Sequence, residues 1–306
     1  MTDRLRIGTR GSPLALAQTD LVVRALRRAA PSVKLDLVPL RTSGDRTRRT
    51  ARTLDFTDEI DRCLERGEID LAVHSAKDLP ARPSRRVDVA AFLRREDPRD
   101  CLVLRAGRTF RTLPHGARLG SSSLRRRAQL LSIRPDLEVV PIRGNIGTRI
   151  DQIDRTGLDG VILASAGLRR LGWTGRISEF LSTDRWLPAP GQGAIAVEVR
   201  EGDRSTRRTV AKIDHFPTRA AVVAERAVVR TLGGDCGLPL GAIARMRKGR
   251  LRLRAALLSP DGRLRVTAEA SGPAARSEAI GEKVGRTLLA FGQGTTRVGR
   301  AHPSDR

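Results

Sequence analysis

Short apolar runs alternate with helical periods through the first half of the chain. Leu5 to Thr9, Val33 to Val38 and Ile69 to His74 have the length of buried strands, whereas Pro13 to Ala29 and Ile60 to Arg66 repeat apolar residues at helical spacing. Strands separated by helices predict crossover connections and a largely parallel sheet. The alternation resumes after Pro98 with a strand at Leu102 to Leu104, a turn at Leu119 to Ser122 and a helix from Leu124. A strand at Leu137 to Ile142, a helix from Ile146 and a strand at Gly160 to Leu163 follow. This predicts a second α/β unit. Ala194 to Val199, beyond Pro190, reads as a strand free to return to the first sheet, and two crossings between the units would form a hinge. From Thr218 the pattern changes to a helix, Ala220 to Leu232, ending at Gly233-Gly234. A hairpin, Leu251 to Leu258 and Leu264 to Ala268, turns at Asp261-Gly262, and a last helix spans Ala274 to Ala290. The expected fold is α/β: two hinged units with mixed or parallel sheets and a small C-terminal α+β unit. The expected domains are 1–94 with 194–212, 99–188, and 216–306, the last ending in a frayed tail from Arg297.

Length supports this division, because 306 residues are about twice a typical domain. The first twenty residues carry Asp3, Arg4, Arg6 and Arg10 with no continuous apolar stretch, so no signal peptide is visible and no membrane span follows. The chain reads as soluble and intracellular. Cys63, Cys101 and Cys236 are too few and too far apart for a disulfide framework, and their spacing suggests no zinc site. No metal is expected.

The net charge of +24 changes the picture, since it is carried almost wholly by arginine and must attract anions. Aromatic residues make up 3% of the chain and tyrosine is absent, so the stacking platforms of single-strand nucleic-acid binders are scarce. A compositional arginine bias explains the charge more simply than nucleic-acid binding, and small carboxylated ligands remain open.

Four segments set arginine beside a turn or helix start: Thr9-Arg10-Gly11-Ser12, Ser121 to Arg126, Arg143 to Arg149, and Gly167 to Arg170. Free N–H groups at a helix start plus a guanidinium fork make a seat for carboxylate or phosphate. Ser12, Ser123 and Asn145 read equally as helix caps. Within this basic field lies His74-Ser75-Ala76-Lys77-Asp78-Leu79-Pro80, following a buried strand. Asp78, beside Lys77, is placed to steady a transient cation or accept a proton, although an ordinary turn aspartate would look the same. His74 alone reads as structural. Cys236 sits in the glycine-rich loop Gly233 to Pro239, which suits covalent use of sulfur, whereas Cys63 and Cys101 fall on core positions.

Taken together, Arg6 to Ala15, the HSAKDLP loop, Arg95 to Asp100, GSSSLRR, RGNIGTR, ASAGLRRLG, Leu187 to Gly193 and the Cys236 loop resemble the porphobilinogen deaminase family, in order, from about Leu5 to Leu240. The resemblance implies two domains hinged like periplasmic binding proteins and a third that carries the cofactor cysteine. It implies an enzyme, a transferase that joins four porphobilinogens head to tail into hydroxymethylbilane and releases ammonia. It also implies a dipyrromethane cofactor on Cys236, no metal, and a cytoplasmic monomer without nucleic-acid or membrane partners. Asp78 would be the catalytic carboxylate. Lys77, Asp45, Ser123, Arg125 and Arg126 would face the cofactor, and Arg10, Ser12, Arg143, Arg149, Arg170 and Gln192 would face the substrate and linear pyrrole intermediates. Ala51 to Phe56 departs from the family's lid, which resembles GGKGLF. The alternative reading is therefore a scaffold that binds pyrroles or carboxylates without turnover.

Overall fold

The computed structural model describes residues 4–40, 58–81, 84, 86–234 and 237–298. Three sheets organise them, each with its own buried apolar cluster. The first sheet runs β2 (Lys34–Leu40), β1 (Arg4–Arg10), β3 (Leu71–Ser75), β10 (Ile195–Arg200), β4 (Val87–Phe92). β1 pairs parallel with β2 and β3, as crossover helices α1 (Pro13–Ala29) and α2 (Asp58–Glu65) require. β10 lies antiparallel between β3 and β4, so the sheet is mixed and the late strand does return to it. Side-chain alternation splits β3 and β10 cleanly. Leu71, Val73, Val197 and Val199 join the core beneath α1, while Ala72 packs with Ile60 and Leu64 of α2 on the other face.

The second sheet has the order β7 (Glu138–Val140), β6 (Arg118–Gly120), β8 (Gly160–Ala164), β5 (Asp100–Leu104), β9 (Glu179–Phe180). Helices α3 (Leu124–Ile133), α4 (Ile146–Arg155) and α5 (Ser165–Arg170) connect its strands. The turn expected at Leu119 is in fact the short strand β6, which pairs parallel with β7 and β8 before the chain turns at Ser121. Three residues are too few for a period-two pattern to register. Helix α6 (Arg204–Ala211) packs back on the first unit.

The third sheet is the antiparallel β11 (Leu240–Arg247), β12 (Arg250–Leu258), β13 (Arg265–Pro273), backed by α7 (Phe216–Thr231) and α8 (Ser277–Val298). Its hairpin matches the sequence pattern, with β11 added as a third strand. Among the described residues, no helix is long and apolar enough to cross a membrane.

Two chain segments cross between the first and second sheets, 93–99 and 188–194. They run side by side: Glu96 N–H donates to Gly193 O at 3.0 Å, and Leu93 N–H to Ile195 O at 3.1 Å. Gly193 has φ +86, and a Cβ there would stand 2.5 Å from Glu96 O, so only glycine fits the close approach.

Candidate active site

Buried β3 delivers the HSAKDLP segment to the edge of the first sheet. Ala76 N–H donates to Ala194 O at 3.0 Å, and Ala76 and Leu79 are buried, so the intervening 3₁₀ turn presents Lys77 and Asp78 outward. Asp78 is exposed and Lys77 half-buried. From the third unit, Arg226 of α7 donates to Leu79 O at 3.1 Å and Pro80 O at 2.6 Å, fixing the far side of the turn.

The second unit brings its cations to the same place through one buried acid. Asp100, at the start of β5, accepts from Arg125 Nη1 at 2.7 Å and from Arg126 Nε and Nη2 at 3.1 and 2.7 Å. Trp186 Nε1 and Gln192 Nε2 also donate to it, at 2.7 and 2.9 Å. The two guanidiniums hold the Asp100 carboxyl far below the usual carboxylate range in spite of burial. Each nitrogen of Arg126 already donates to a protein acceptor, Nη1 to Ile162 O at 2.8 Å, so this side chain is anchored in the interior. Arg125 Nη1 also reaches Leu187 O, and the Arg125 side chain lines the cavity described below.

Electrostatics ties the two units together. Burial lowers the Lys77 ammonium below the usual lysine value; Arg126 and Arg125 push the same way, while Asp78 and Asp100 oppose. Burial and Arg126 likewise lower Arg149, with Asp78 opposing. Lys77, Asp78, Arg125, Arg126 and Arg149 thus share one field although they come from two sheets. A cavity of about 100 Å³ is lined by Lys77, Ser123 and Arg125 together with Arg226, Leu238 and Leu240, so all three units meet at it. Ser123 also caps α3, accepting from Arg126 N–H at 3.4 Å.

Other sequence candidates lie elsewhere. Ser12 caps α1, accepting from Ala15 N–H at 3.3 Å, and Arg10 ends β1 near His74, whose imidazolium is lowered by burial and then by Arg10. Arg143 is exposed before α4, whose Arg149 donates from Nε to Gly144 O at 2.8 Å. Arg170 and Gln192 sit at the crossing segments. Arg170 Nη2 donates to Gly193 O at 2.6 Å, and burial pushes its guanidinium down to about 10 against the pull of Glu96. Gln192, 1% exposed, donates to Pro98 O and Asp100. Cys63 and Cys101 are free and buried, as their core positions suggested. Asp45, the Ala51 to Phe56 segment and Cys236 fall outside the described residues. Close to Cys236 in sequence, Gly234 presses on Leu238, where a Cβ would come 2.0 Å from Leu238 Cδ1.

Sequence reasoning passed over three residues that shape this site. Asp100 stood inside a quoted motif with no role assigned. Glu225 and Arg226 are adjacent charges inside the apolar helix α7, and that interruption was the available signal. Glu225, wholly buried, accepts from Arg95 Nη1 and Nη2 at 2.6 and 3.0 Å, Gly191 N–H at 2.7 Å and Ala244 N–H at 2.7 Å.

Comparison with known proteins gives this geometry its context. A family model described as "Porphobilinogen deaminase, dipyromethane cofactor binding domain" matches residues 5–208, and "Porphobilinogen deaminase, C-terminal domain" matches 219–290. A porphobilinogen deaminase of Desulforudis audaxviator is 46% identical over 293 residues, 94% of this chain and 95% of that protein. One from Thermus thermophilus is 44% identical over 287 residues, again 94% and 95%. Among solved structures, the periplasmic VFT2 domain of Bordetella pertussis BvgS is similar with a TM-score of 0.43 at 15% identity, covering 69% of this chain and 86% of that one. On the two family matches and the identity to these relatives, the chain belongs to the porphobilinogen deaminase family.

Proposed function

We propose that the chain is a hydroxymethylbilane synthase, which condenses four porphobilinogens stepwise into a linear tetrapyrrole with release of ammonia. The observation that carries this reading is a cavity lined by Lys77, Ser123 and Arg125 at which all three units meet, with the exposed carboxylate Asp78 next to Lys77 and in electrostatic reach of Arg149. Three separate cores support domains at 1–94 with 194–212, 99–188 and 216–306.

The donor set fits a dipyrromethane cofactor: cations and a serine hydroxyl suit its acetate and propionate arms, and Asp78 suits its pyrrole N–H groups. Leu238 on the cavity wall lies two residues from Cys236, the proposed attachment point. When bound, that group supplies the free pyrrole carbon to which the first substrate is joined. Lys77, Ser123, Arg125 and Arg149 hold carboxylate arms, and Arg126 with Asp100 fixes the position of Arg125. Arg10, Ser12 and Arg143, whose motifs fall within the matched family segment, are proposed to contact the acid arms of the substrate. Arg170 and Gln192, which donate to Gly193 O and Pro98 O at the crossing segments, are proposed to face the substrate. Asp78 accepts from the substrate pyrrole N–H and stabilises the positive charge that develops as ammonia leaves. We place the enzyme in the cytoplasm as a monomer, with no nucleic-acid partner.

Incubating the purified full chain with porphobilinogen tests the proposal. Intact mass should show two linked pyrroles, lost in Cys236→Ala, and the product should cyclise to uroporphyrinogen on standing, with loss of water. Binding of porphobilinogen without ammonia release would overturn it.

A further inference from the structure

On the α2 face of the first sheet, three ligand-bearing side chains converge from three elements. Asp61 comes from α2, His74 from β3 and Glu198 from β10, and all three are buried. One ligand atom of each lies within 4.8 Å of the other two. His74 pairs in register with Ala196 and Ala72 with Glu198, so strand alternation turns His74 and Glu198 to the same side as Ala72. Around them pack Ile60, Leu64, Ala72 and Val87. Such a setting is costly for bare charge.

His74 Nε2 and Glu198 Oε2 stand 3.3 Å apart, yet neither makes a hydrogen bond to the other or to any described group. Two donors on adjacent corners of a tetrahedron with bonds of about 2.0–2.1 Å are separated by about 3.3–3.4 Å. Two carboxyl groups and an imidazole are the oxygen and nitrogen donors that a zinc-class ion takes. Among the described residues, Arg10 acts on His74 and Arg226 on Glu198, with Asp88 a further anion near Glu198.

We propose that Asp61, His74 and Glu198 form a binding site for a divalent transition-metal ion of the zinc class, with a fourth position open to water. Because the ligands are far apart in sequence, no spacing motif announces them. The ion would tie α2 to the two central strands four residues before Asp78, and the site stands whether or not the chain turns over porphobilinogen.

The test uses the full chain stripped with a chelator, then titrated with cobalt(II) or zinc(II) salts alone. The expected result is about one equivalent retained through desalting, with the intense visible absorption of low-coordinate cobalt and no sulfur-to-cobalt band. In Glu198→Gln and His74→Gln the affinity should fall at least about tenfold. Absence of stoichiometric retention, equal retention by folded variants, or a sulfur-to-cobalt band would each overturn the assignment. If a variant does not fold, the wild-type cobalt spectrum decides alone.

Discussion

Arg125 and Asp100 meet at 2.7 Å with both side chains buried, so one acid at the edge of the second sheet holds a cation that lines the cavity. Removing the acid leaves two guanidiniums without their counter-charge. Asp100→Asn should destabilise the chain by about 3–5 kcal/mol, the cost of stranding a buried charge, as measured by urea unfolding. The pH dependence follows from the depressed carboxyl. Its contribution is fully present above the unfolded aspartate value of about 3.9 and fades as pH falls further toward the folded value. The stability difference between wild type and Asp100→Asn should be constant above about pH 4 and shrink below it. A difference that instead vanished near neutral pH would contradict the pairing.

Asp78 is exposed at a turn held by its neighbours, so its replacement disturbs no packing. Asp78→Asn should lose about 10²–10³-fold in product formation with an unchanged melting temperature. A large drop in stability alongside the activity would assign the carboxylate a structural role.

Lys77 must be charged to grip a carboxylate arm, and burial lowers its ammonium. The alkaline limb of kcat/KM should therefore begin below the ordinary lysine value of about 10.4, and Lys77→Arg should move it upward. An alkaline limb that Lys77→Arg leaves in place would show that another group titrates there.

Glu225 collects Arg95, Gly191 N–H and Ala244 N–H at one carboxylate, joining both crossing segments to the third sheet. Glu225→Ala should cost about 3–5 kcal/mol and speed hydrogen exchange at Gly191 and Ala244 before the sheets themselves open. Uniform exchange across the chain would mean that the contact is not local.

Most of the architecture was legible in the sequence. The strands β1, β3 and β8 and helix α1 follow apolar periodicity because each buries one continuous face. The short strands β6 and β9 were not legible, since two or three residues carry no period, and β4 was missed although it is six residues long. At the site, Lys77 and Asp78 could be singled out because a loop after a buried strand is where charge is least expected to be structural. What arginine-rich motifs could not show was how each guanidinium is employed. Arg126 donates to Asp100 and Ile162 O, and Arg170 to Gly193 O. Only the acceptors, distant along the chain, decide that.

The paired crossings carry a mechanical consequence. A single connecting strand lets two bodies swivel as well as nod; two strands laced by Glu96 and Gly193 resist torsion and leave flexing about one line as the soft motion. A growing oligomer would then be accommodated by widening the mouth between the same two walls.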